Sequence, residues 1–351
     1  MNILIVIGVR PQVIKAAPII KLLDSDSEVN LILVHSGQHY DFEMSKIFFN
    51  ELNLPNPNVN LGVGGGSHAE QTANIMLRIE PVIRRYRPDV VVVFGDANTT
   101  LATALAAVKL HVPVAHVEAG LRSWDLGMPE EVNRVLTDHC SQVLYAPTKY
   151  ALKNLVDEGI PEQMILVSGD TMYDSILNHL EDIDRSSIIG KLDLRDGEYV
   201  VVTAHRAENV DSYNRLSNIV SALLKLGEFK IVFPVHPRTM KNLVKFDLIG
   251  KLKSARHVVL TKPLGYFDML KLIKHAGAVL TDSGGIQKEA FILNTPCITM
   301  RERTEWIETV LLGGNVLVGV SEELIVKEVR KAMNASEEIR RRLSSVLKPY
   351  G

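Results

Sequence analysis

The chain has 351 residues, 46% hydrophobic and 23% charged, with 39 Lys and Arg against 41 Asp and Glu for a formal net charge of −2. At roughly 100–200 residues per domain this length calls for about two domains with ordinary cores, and the composition excludes disordered, collagen-like and disulfide-scaffold chains. The balanced charge offers no global basic field to nucleic acid or an anionic membrane, so an anionic partner has to be held by a local pocket.

The N-terminal run Asn2–Ile7 is short and has no positively charged n-region. No apolar run approaches the ~18–20 residues of a membrane helix. Cys140 and Cys297 lie in apolar segments without metal or disulfide spacing, which fits a reducing compartment. A soluble, cytoplasmic protein is expected.

In chain order, Ile3–Ile7, Leu31–His35, Val90–Phe94, Val114–Glu118, Val143–Ala146 and Ile165–Val167 read as strands. After an irregular stretch come Tyr199–Thr203, Ile231–Val235, Val258–Leu260, Ala278–Thr281, Cys297–Met300 and Asn315–Val318. The runs are nearly continuous in apolar residues, as strands buried on both faces are. They alternate with longer helical patterns, which predicts parallel sheets with helices on both sides. The charged stretch Asp182–Glu198, with Gly190 and Gly197, separates the two series and marks a domain boundary. The expected class is therefore α/β, two doubly wound domains facing a cleft at the carboxyl ends of both sheets. The tail run Arg340-Arg341-Arg342 reads as a solvated helix face.

The chemistry-bearing residues gather at strand ends. The first strand runs into Gly8-Val9-Arg10-Pro11, and the next helix carries Val13, Ile14, Ala17, Ile20 and Leu23 on one stripe. Pro11 suits the first helical position. The G-x-G-x-x-G dinucleotide fingerprint is missing. Arg10 and Lys15 are placed to meet an anion beside the helix N-terminus, with a solvated Arg and Lys as the equal alternative. Gly95-Asp96 ends one strand, and His116-Val117-Glu118-Ala119-Gly120 ends the next. Pro129-Glu130-Glu131-Val132-Asn133-Arg134 opens a helix whose core face is expected to be Val132, Val135, Leu136, Cys140 and Val143. There Glu130 serves the helix dipole, and Glu131 joins Asp96 and Glu118 if the turn faces the cleft. Several acids in one cleft suit acid–base work.

In the second series Thr203-Ala204-His205-Arg206 and Val235-His236-Pro237 follow successive strands. Two histidines in such places point to function, His205 being able to neutralise or protonate a departing diphosphate. Thr281-Asp282-Ser283-Gly284-Gly285 joins a strand to a helix. Ser283 can cap that helix, and Gly284 and Gly285 let a ligand approach the backbone. Free N–H groups and the helix dipole favour phosphate there, and Glu289 can accept ribose hydroxyls. A purely structural Ser-Gly-Gly turn is the competing reading.

In order and spacing these segments resemble the non-hydrolysing UDP-N-acetylglucosamine 2-epimerases. The resemblance runs from Gly8-Val9-Arg10-Pro11 through Gly95-Asp96, His116 to Arg122, Pro129 to Arg134, His205-Arg206, Asp282 to Gln287 and Arg303-Thr304-Glu305 to Gly314–Gly319. It implies two Rossmann-like domains of the GT-B type: residues 1–170 with the catalytic acids, 171–335 binding UDP, and 336–351 as a C-terminal helix packing back on the first domain. It implies reversible C-2 inversion of UDP-GlcNAc to UDP-ManNAc without NAD or metal, by elimination of UDP to a 2-acetamidoglucal and re-addition. Asp96, Glu118 and Glu131 become the acids and bases by this resemblance, with His205 near the leaving diphosphate. Arg10, Lys15, His236, Ser283 and Gly284 would hold phosphates and Glu289 the ribose, with Arg134, Arg206, Gly285 and Arg303 completing the binding set. A homodimer is expected.

The chain departs from the family at Val9 and Gln12, where Thr and Glu are usual, and at Lys288, where Glu is common. Trp306-Ile307-Glu308 stands in place of Arg-Pro-Glu. With Gly169 to Asp174 these resemble the subgroup acting on UDP-2,3-diacetamido-2,3-dideoxy-glucuronate, whose extra carboxylate a cation such as Lys288 or Arg303 could answer. Of the bacterial substrate-activation site Gln38 is kept, but Asp41 and Ala207 replace a Gln and an Arg, so activation should be weak or absent. The alternatives are a GT-B glycosyltransferase, a hydrolysing relative and a non-catalytic nucleotide-sugar sensor. The acid cluster speaks against the first and the last, and the length leaves no room for the kinase domain sometimes fused to the second.

Overall fold

Apolar, β-branched runs become strands in two separate parallel sheets. The computed structural model describes residues 1–37, 48–346 and 349–350, so Gln38 and Asp41 lie outside the described residues. Strands β1 (Asn2–Ile7), β2 (Asn30–His35), β3 (Val59–Asn60), β4 (Val90–Phe94), β5 (Val114–Val117), β6 (Val143–Ala146) and β7 (Ile165–Val167) form the first sheet. Their order is β3-β2-β1-β4-β5-β6-β7, with Ile3 opposite Val90 and Val91 opposite Val114. Strands β8 (Tyr199–Thr203), β9 (Lys230–Pro234), β10 (Val258–Thr261), β11 (Ala278–Thr281), β12 (Cys297–Thr299) and β13 (Asn315–Leu317) form the second, in the order β10-β9-β8-β11-β12-β13. Strand order reverses between β1 and β4 in one sheet and between β8 and β11 in the other. At such switch points the diverging loops open a crevice at the carboxyl ends of the strands.

Helices cover each sheet with apolar stripes. Ile75, Ile79 and Ile83 of helix His68–Tyr86 pack on Leu4, Val34, Val91 and Val93. Leu216, Ile219, Val220 and Leu223 of helix Tyr213–Lys225 pack on Val200, Ile231 and Phe233. Each such side chain, fully buried, contributes about 1.5–3 kcal/mol.

The first compact unit is Met1–Asn178 and the second begins at His179. The boundary thus follows residue 178 rather than 170, because helix Thr171–Asn178 buries Met172 and Ile176 and packs on helix Arg10–Asp24. The stretch Asp182–Glu198 is not irregular. Helices Leu180–Arg185 and Ile188–Lys191 run through it, tied down where Ser186 donates to Asp268 at 2.5 Å and Lys274 to Asp184 at 2.7 Å. Helix Ser336–Ser345 belongs to the second unit, not the first. Ser336 donates to the Gly277 carbonyl at 2.8 Å, Arg342 to that of Gly313 at 2.6 Å, and Leu343 is fully buried. Arg340 likewise donates to the Ala276 carbonyl, so that run is not wholly a solvated face. Of the described tail, Pro349 and Tyr350 rejoin the first unit, where the Tyr350 carbonyl accepts the Asp170 N–H at 2.6 Å. Among the described residues no helix is long and apolar enough to cross a membrane.

Helix Pro129–Cys140 turns inward the face opposite to the one its apolar spacing predicts. Val132 and Leu136 are 37% and 46% exposed, whereas Glu131, Asn133, Arg134, Thr137 and Asp138 are buried. A helix buries a polar face only where each group meets a partner. Those partners form the site.

Candidate functional site

In the first unit the turns after β1, β4 and β5 meet that helix. Gly8 closes β1, and a Cβ there would collide with Ser36 Oγ and Thr99 Oγ1. Gln12 is buried in the following helix; it accepts the Gly8 N–H at 2.8 Å and donates to the Phe94 carbonyl and Thr100 Oγ1, both at 2.9 Å. A carboxylate has no proton for those last two bonds. Gln12 therefore ties β1 to β4, which the loss of a charge in the sequence did not reveal.

Lys15 pairs with Glu118, and both side chains are nearly buried. Burial pulls the Lys15 ammonium down, but Glu118, Asp96 and Asp170 together hold it above its ordinary value. Lys15 is thus committed to an acid in this structure, and Arg10 places its guanidinium 4.8 Å over the Phe48 ring. Glu118 adopts φ +71°, a left-handed conformation that costs a non-glycine residue about 1–2 kcal/mol and ends β5 one residue earlier than its apolar run suggests. Gly95, at φ +60°, leaves room for the pair: a Cβ would stand 3.0 Å from Glu118 Oε2 and 3.1 Å from Lys15 Nζ.

Arg134 bridges the other two acids, donating to Asp96 and to Glu131, both at 2.5 Å. The Asp96 side chain is 37% exposed and that of Glu131 only 1%. Glu131 also accepts the Ser123 N–H at 3.0 Å, the Trp124 N–H at 2.8 Å and the Ser123 hydroxyl at 2.9 Å. Asn133 donates to the Asp96 carbonyl at 2.9 Å. Asp96, Glu118 and Glu131 are therefore brought into one net with Lys15 and Arg134.

Sequence reasoning passed over the layer beneath. His116 is fully buried, with Nδ1 2.7 Å from Asp138 and Nε2 2.8 Å from the Gly95 carbonyl. Asp138 also receives Arg122 at 2.7 Å and the Gly120 N–H at 3.1 Å. Arg122 forks onto Glu158 with two bonds of 2.6 Å. Burial opposes ionisation of Asp138, yet His116 and Arg122 hold its carboxyl below the usual range. The available signal was a histidine inside an apolar strand run.

In the second unit Asp282 is fully buried at the end of β11. It accepts the N–H groups of His205 and Arg206 at 3.0 Å and Asn209 Nδ2 at 3.1 Å, and lies 3.2 Å from His205 Nδ1. Burial opposes its charge, but His205 and the amides keep its carboxyl below the ordinary range. His236 caps helix Pro237–Lys245, its Nδ1 accepting the Arg238 N–H at 3.2 Å, so a neutral ring carries its proton on Nε2. The two imidazole rings are 5.7 Å apart. Ser283 caps helix Gly284–Ile292 through the Ile286 N–H at 3.5 Å. A Cβ on Gly284 would collide with Glu305 Oε1; Gly285 follows in the same turn. Glu289 is buried further along, Arg206 is half-buried and Arg303 is exposed. The structure gathers His205, His236 and the Ser283–Gly285 turn at the carboxyl ends of β8, β9 and β11.

Lys288 is fully buried, with its ammonium 4.1 Å from the Trp306 ring centroid. Two of the departures from the family pattern are thus partners in a cation–π contact. Ala207 opens the short helix Ala207–Val210. Among the described residues no group of three His, Cys, Asp or Glu has the arrangement of a metal site.

The family described as UDP-N-acetylglucosamine 2-epimerase matches residues 21–351. A UDP-N-acetylglucosamine 2-epimerase homolog of Methanococcus maripaludis is 49% identical over 339 residues, covering 96% of this chain and 94% of that protein. A UDP-2,3-diacetamido-2,3-dideoxy-D-glucuronate 2-epimerase of Pseudomonas aeruginosa is 45% identical, covering 95% and 92%. The crystal structure of a Methanocaldococcus jannaschii UDP-GlcNAc 2-epimerase in complex with UDP-GlcNAc and UDP matches with a TM-score of 0.92 at 46% identity, over 100% of this chain and 96% of that one. The fold class is α/β with two parallel-sheet domains of the GT-B type.

Proposed function

Because this chain belongs to the UDP-N-acetylglucosamine 2-epimerase family, we propose that it is an isomerase interconverting UDP-GlcNAc and UDP-ManNAc at C-2. The observation that carries this reading is the set of acids Asp96, Glu118 and Glu131 linked by Lys15 and Arg134 at the β1/β4 switch point. Neither C-1 nor C-3 is a carbonyl carbon, so nothing acidifies the C-2 proton and direct deprotonation has no stabilised anion to form. Elimination avoids that anion. A carboxylate takes the C-2 proton while the C-1–O bond breaks, and the electron pair of that bond departs with UDP. The former C–H pair becomes the C-1–C-2 double bond of a 2-acetamidoglucal. A diphosphate oxygen then returns to C-1 as a proton reaches C-2 on the other face. Two proton carriers are needed, one for each face, which explains more than one acid.

The proposal gives the diphosphate to His205, Arg206, His236 and the N–H groups of Ser283, Gly284 and Gly285, with Arg10 and Arg303 as further cations. His205 neutralises or protonates the departing group, and Glu289 takes the ribose. A homodimer is part of the same proposal. Leu77, Val132 and Leu136 are exposed on helices His68–Tyr86 and Pro129–Cys140, beside a cavity of about 430 Å³ lined by Met76, Pro129 and Val132. An apolar face of this kind is what a second copy covers. The free thiols Cys140 and Cys297 support a reducing, cytoplasmic setting.

The test is incubation with UDP-GlcNAc in heavy water, followed by NMR of the sugar. Deuterium at C-2 with a manno product is expected. The Pseudomonas relative favours a second substrate, so UDP-2,3-diacetamido-2,3-dideoxy-glucuronate is run in parallel. Exchange with that sugar alone moves the chain to the subgroup, and exchange with neither overturns the epimerase reading.

A further inference from the structure

We propose that His116, Asp138 and Arg122 are positioning residues for the epimerisation, locking the turns of Asp96 and Glu118 to the helix of Glu131 through the Gly95 carbonyl and the Gly120 amide. The proposal rests on the reading that those three acids handle the sugar.

The juxtaposition is specific. His116 stands two residues before Glu118 and bonds the carbonyl of the residue before Asp96, at 2.8 Å. Its other nitrogen meets Asp138 at 2.7 Å. Asp138 lies four residues beyond Arg134 and seven beyond Glu131, on the same helix face. Through its second oxygen Asp138 takes the N–H of Gly120, two residues after Glu118, at 3.1 Å. All three acid-bearing segments are thus cross-linked by one imidazole and one carboxylate.

The chemistry restricts what can stand there. A peptide carbonyl only accepts, and Asp138, already receiving Arg122 and an amide, accepts as well. Both ring nitrogens of His116 therefore donate, as only a doubly protonated ring does. No other side chain of this size donates in two opposed directions. Buried ion pairs add little stability compared with packed apolar groups, so a fully buried Arg–Asp–His chain is poorly explained by stability alone. Position explains it better. Glu118 sits at φ +71°, and strain of this kind persists only where the surroundings over-determine it. Here residues two before and two after Glu118 are both fastened to Asp138.

The experiment uses H116Q, D138N and the double variant beside wild type. In the double variant the new glutamine can donate to the Gly95 carbonyl and accept from the new asparagine, whose oxygen still accepts from the Gly120 amide. H116Q is expected to lose about tenfold or more in kcat with KM for UDP-GlcNAc within about threefold, since small misplacements of reacting groups cost that much. D138N, whose amide can donate to a neutral His116 that still donates to Gly95, is expected to lose less. The double variant is expected to recover at least about fivefold over the poorer single, as coupled residues do. An H116Q protein that melts earlier but keeps kcat per folded molecule, or a double variant no better than H116Q, overturns the proposal. ¹⁵N-histidine NMR of wild type gives a readout that survives misfolded variants. One exchange-protected histidine with both ring nitrogens protonated is expected, and a buried neutral ring in its place overturns the proposal. Wild type inactive on both sugar nucleotides would instead overturn the proposed function while leaving this signal intact.

Discussion

Replacing Glu131 by Gln changes one atom and almost no shape, yet the structure assigns it a large penalty. Oε1 accepts from the N–H groups of Ser123 and Trp124, while Oε2 accepts from the Ser123 N–H, the Ser123 hydroxyl and Arg134. An amide nitrogen at either place confronts at least two N–H donors that cannot reverse their role. Each buried donor left without an acceptor costs about 1–3 kcal/mol, giving about 2–6 kcal/mol for Glu131→Gln. At about 2–4 °C per kcal/mol for a unit of this size, the melting temperature should fall by roughly 4–24 °C. Asp96→Asn is the control. Its side chain is 37% exposed, so water takes up the lost interaction and the cost stays within about 1 kcal/mol. Thermal melts and kcat measured on the same preparations separate the two variants. E131Q should lose stability and rate together, and D96N rate alone. An E131Q protein melting within about 2 °C of wild type, or a D96N protein shifted as far as E131Q is expected to be, refutes the reasoning.

The carboxyls of Asp138 and Asp282 are both held below the ordinary range in the folded chain. Such groups contribute stability that is complete above their unfolded value and disappears as pH falls through the folded one, so urea midpoints should drop from about pH 4 downward. D282N should flatten part of that acid limb, and an unchanged limb would contradict the pairing of Asp282 with His205. In Gly284→Ala the new methyl meets Glu305, which Arg301 clamps at 2.8 Å. Because the carboxylate cannot swing away cheaply, UDP binding measured by calorimetry should weaken by about tenfold. With Asp41 and Ala207 in place of a Gln and an Arg, initial rates against UDP-GlcNAc should be hyperbolic. A sigmoidal curve with substrate-dependent onset would refute that.

What can be read without coordinates is what depends on neighbours in the chain. Parallel strands buried on both faces are continuous apolar runs, so twelve of the strands are legible, and ligand-facing turns follow from their carboxyl ends. The two-residue β3 has no such run. Pairings across the chain are not legible. Lys15 meets Glu118 over 103 residues of sequence, whereas its place in the chain suggests a phosphate ligand. Lys288 and Trp306 are two isolated oddities until the cation is found over the ring. Helix Pro129–Cys140 misleads for the same reason. An apolar stripe normally faces a core, but here the partners of Arg134, Asp138 and Glu131 come from the turn at Asp96, from His116 in β5 and from Arg122 and Ser123 after it. A charged face goes inward because three other segments supply its bonds.

The same pairings divide the work among the three acids. Glu131 has both oxygens surrounded by donors, so a proton arriving there has to displace Arg134 or the Ser123–Trp124 turn. Asp96 shares Arg134 with Glu131 and keeps over a third of its side chain exposed. When Asp96 takes a proton, Arg134 retains Glu131 and the frame stays charged and in place. Glu118 is covered, but its cation comes from a different element, and Lys15 is attracted by Asp96 and Asp170 as well. A proton on Glu118 therefore leaves Lys15 with carboxylates still beside it. Asp96 and Glu118 can each change charge while the cation beside them keeps another carboxylate; at Glu131 Arg134 would likewise keep Asp96, but the proton would also have to displace an amide donor from an oxygen already taken. Two acids that can exchange protons satisfy a reaction that needs one on each face of the sugar. On the proposed function, Glu131 braces Arg134 and through it Asp96.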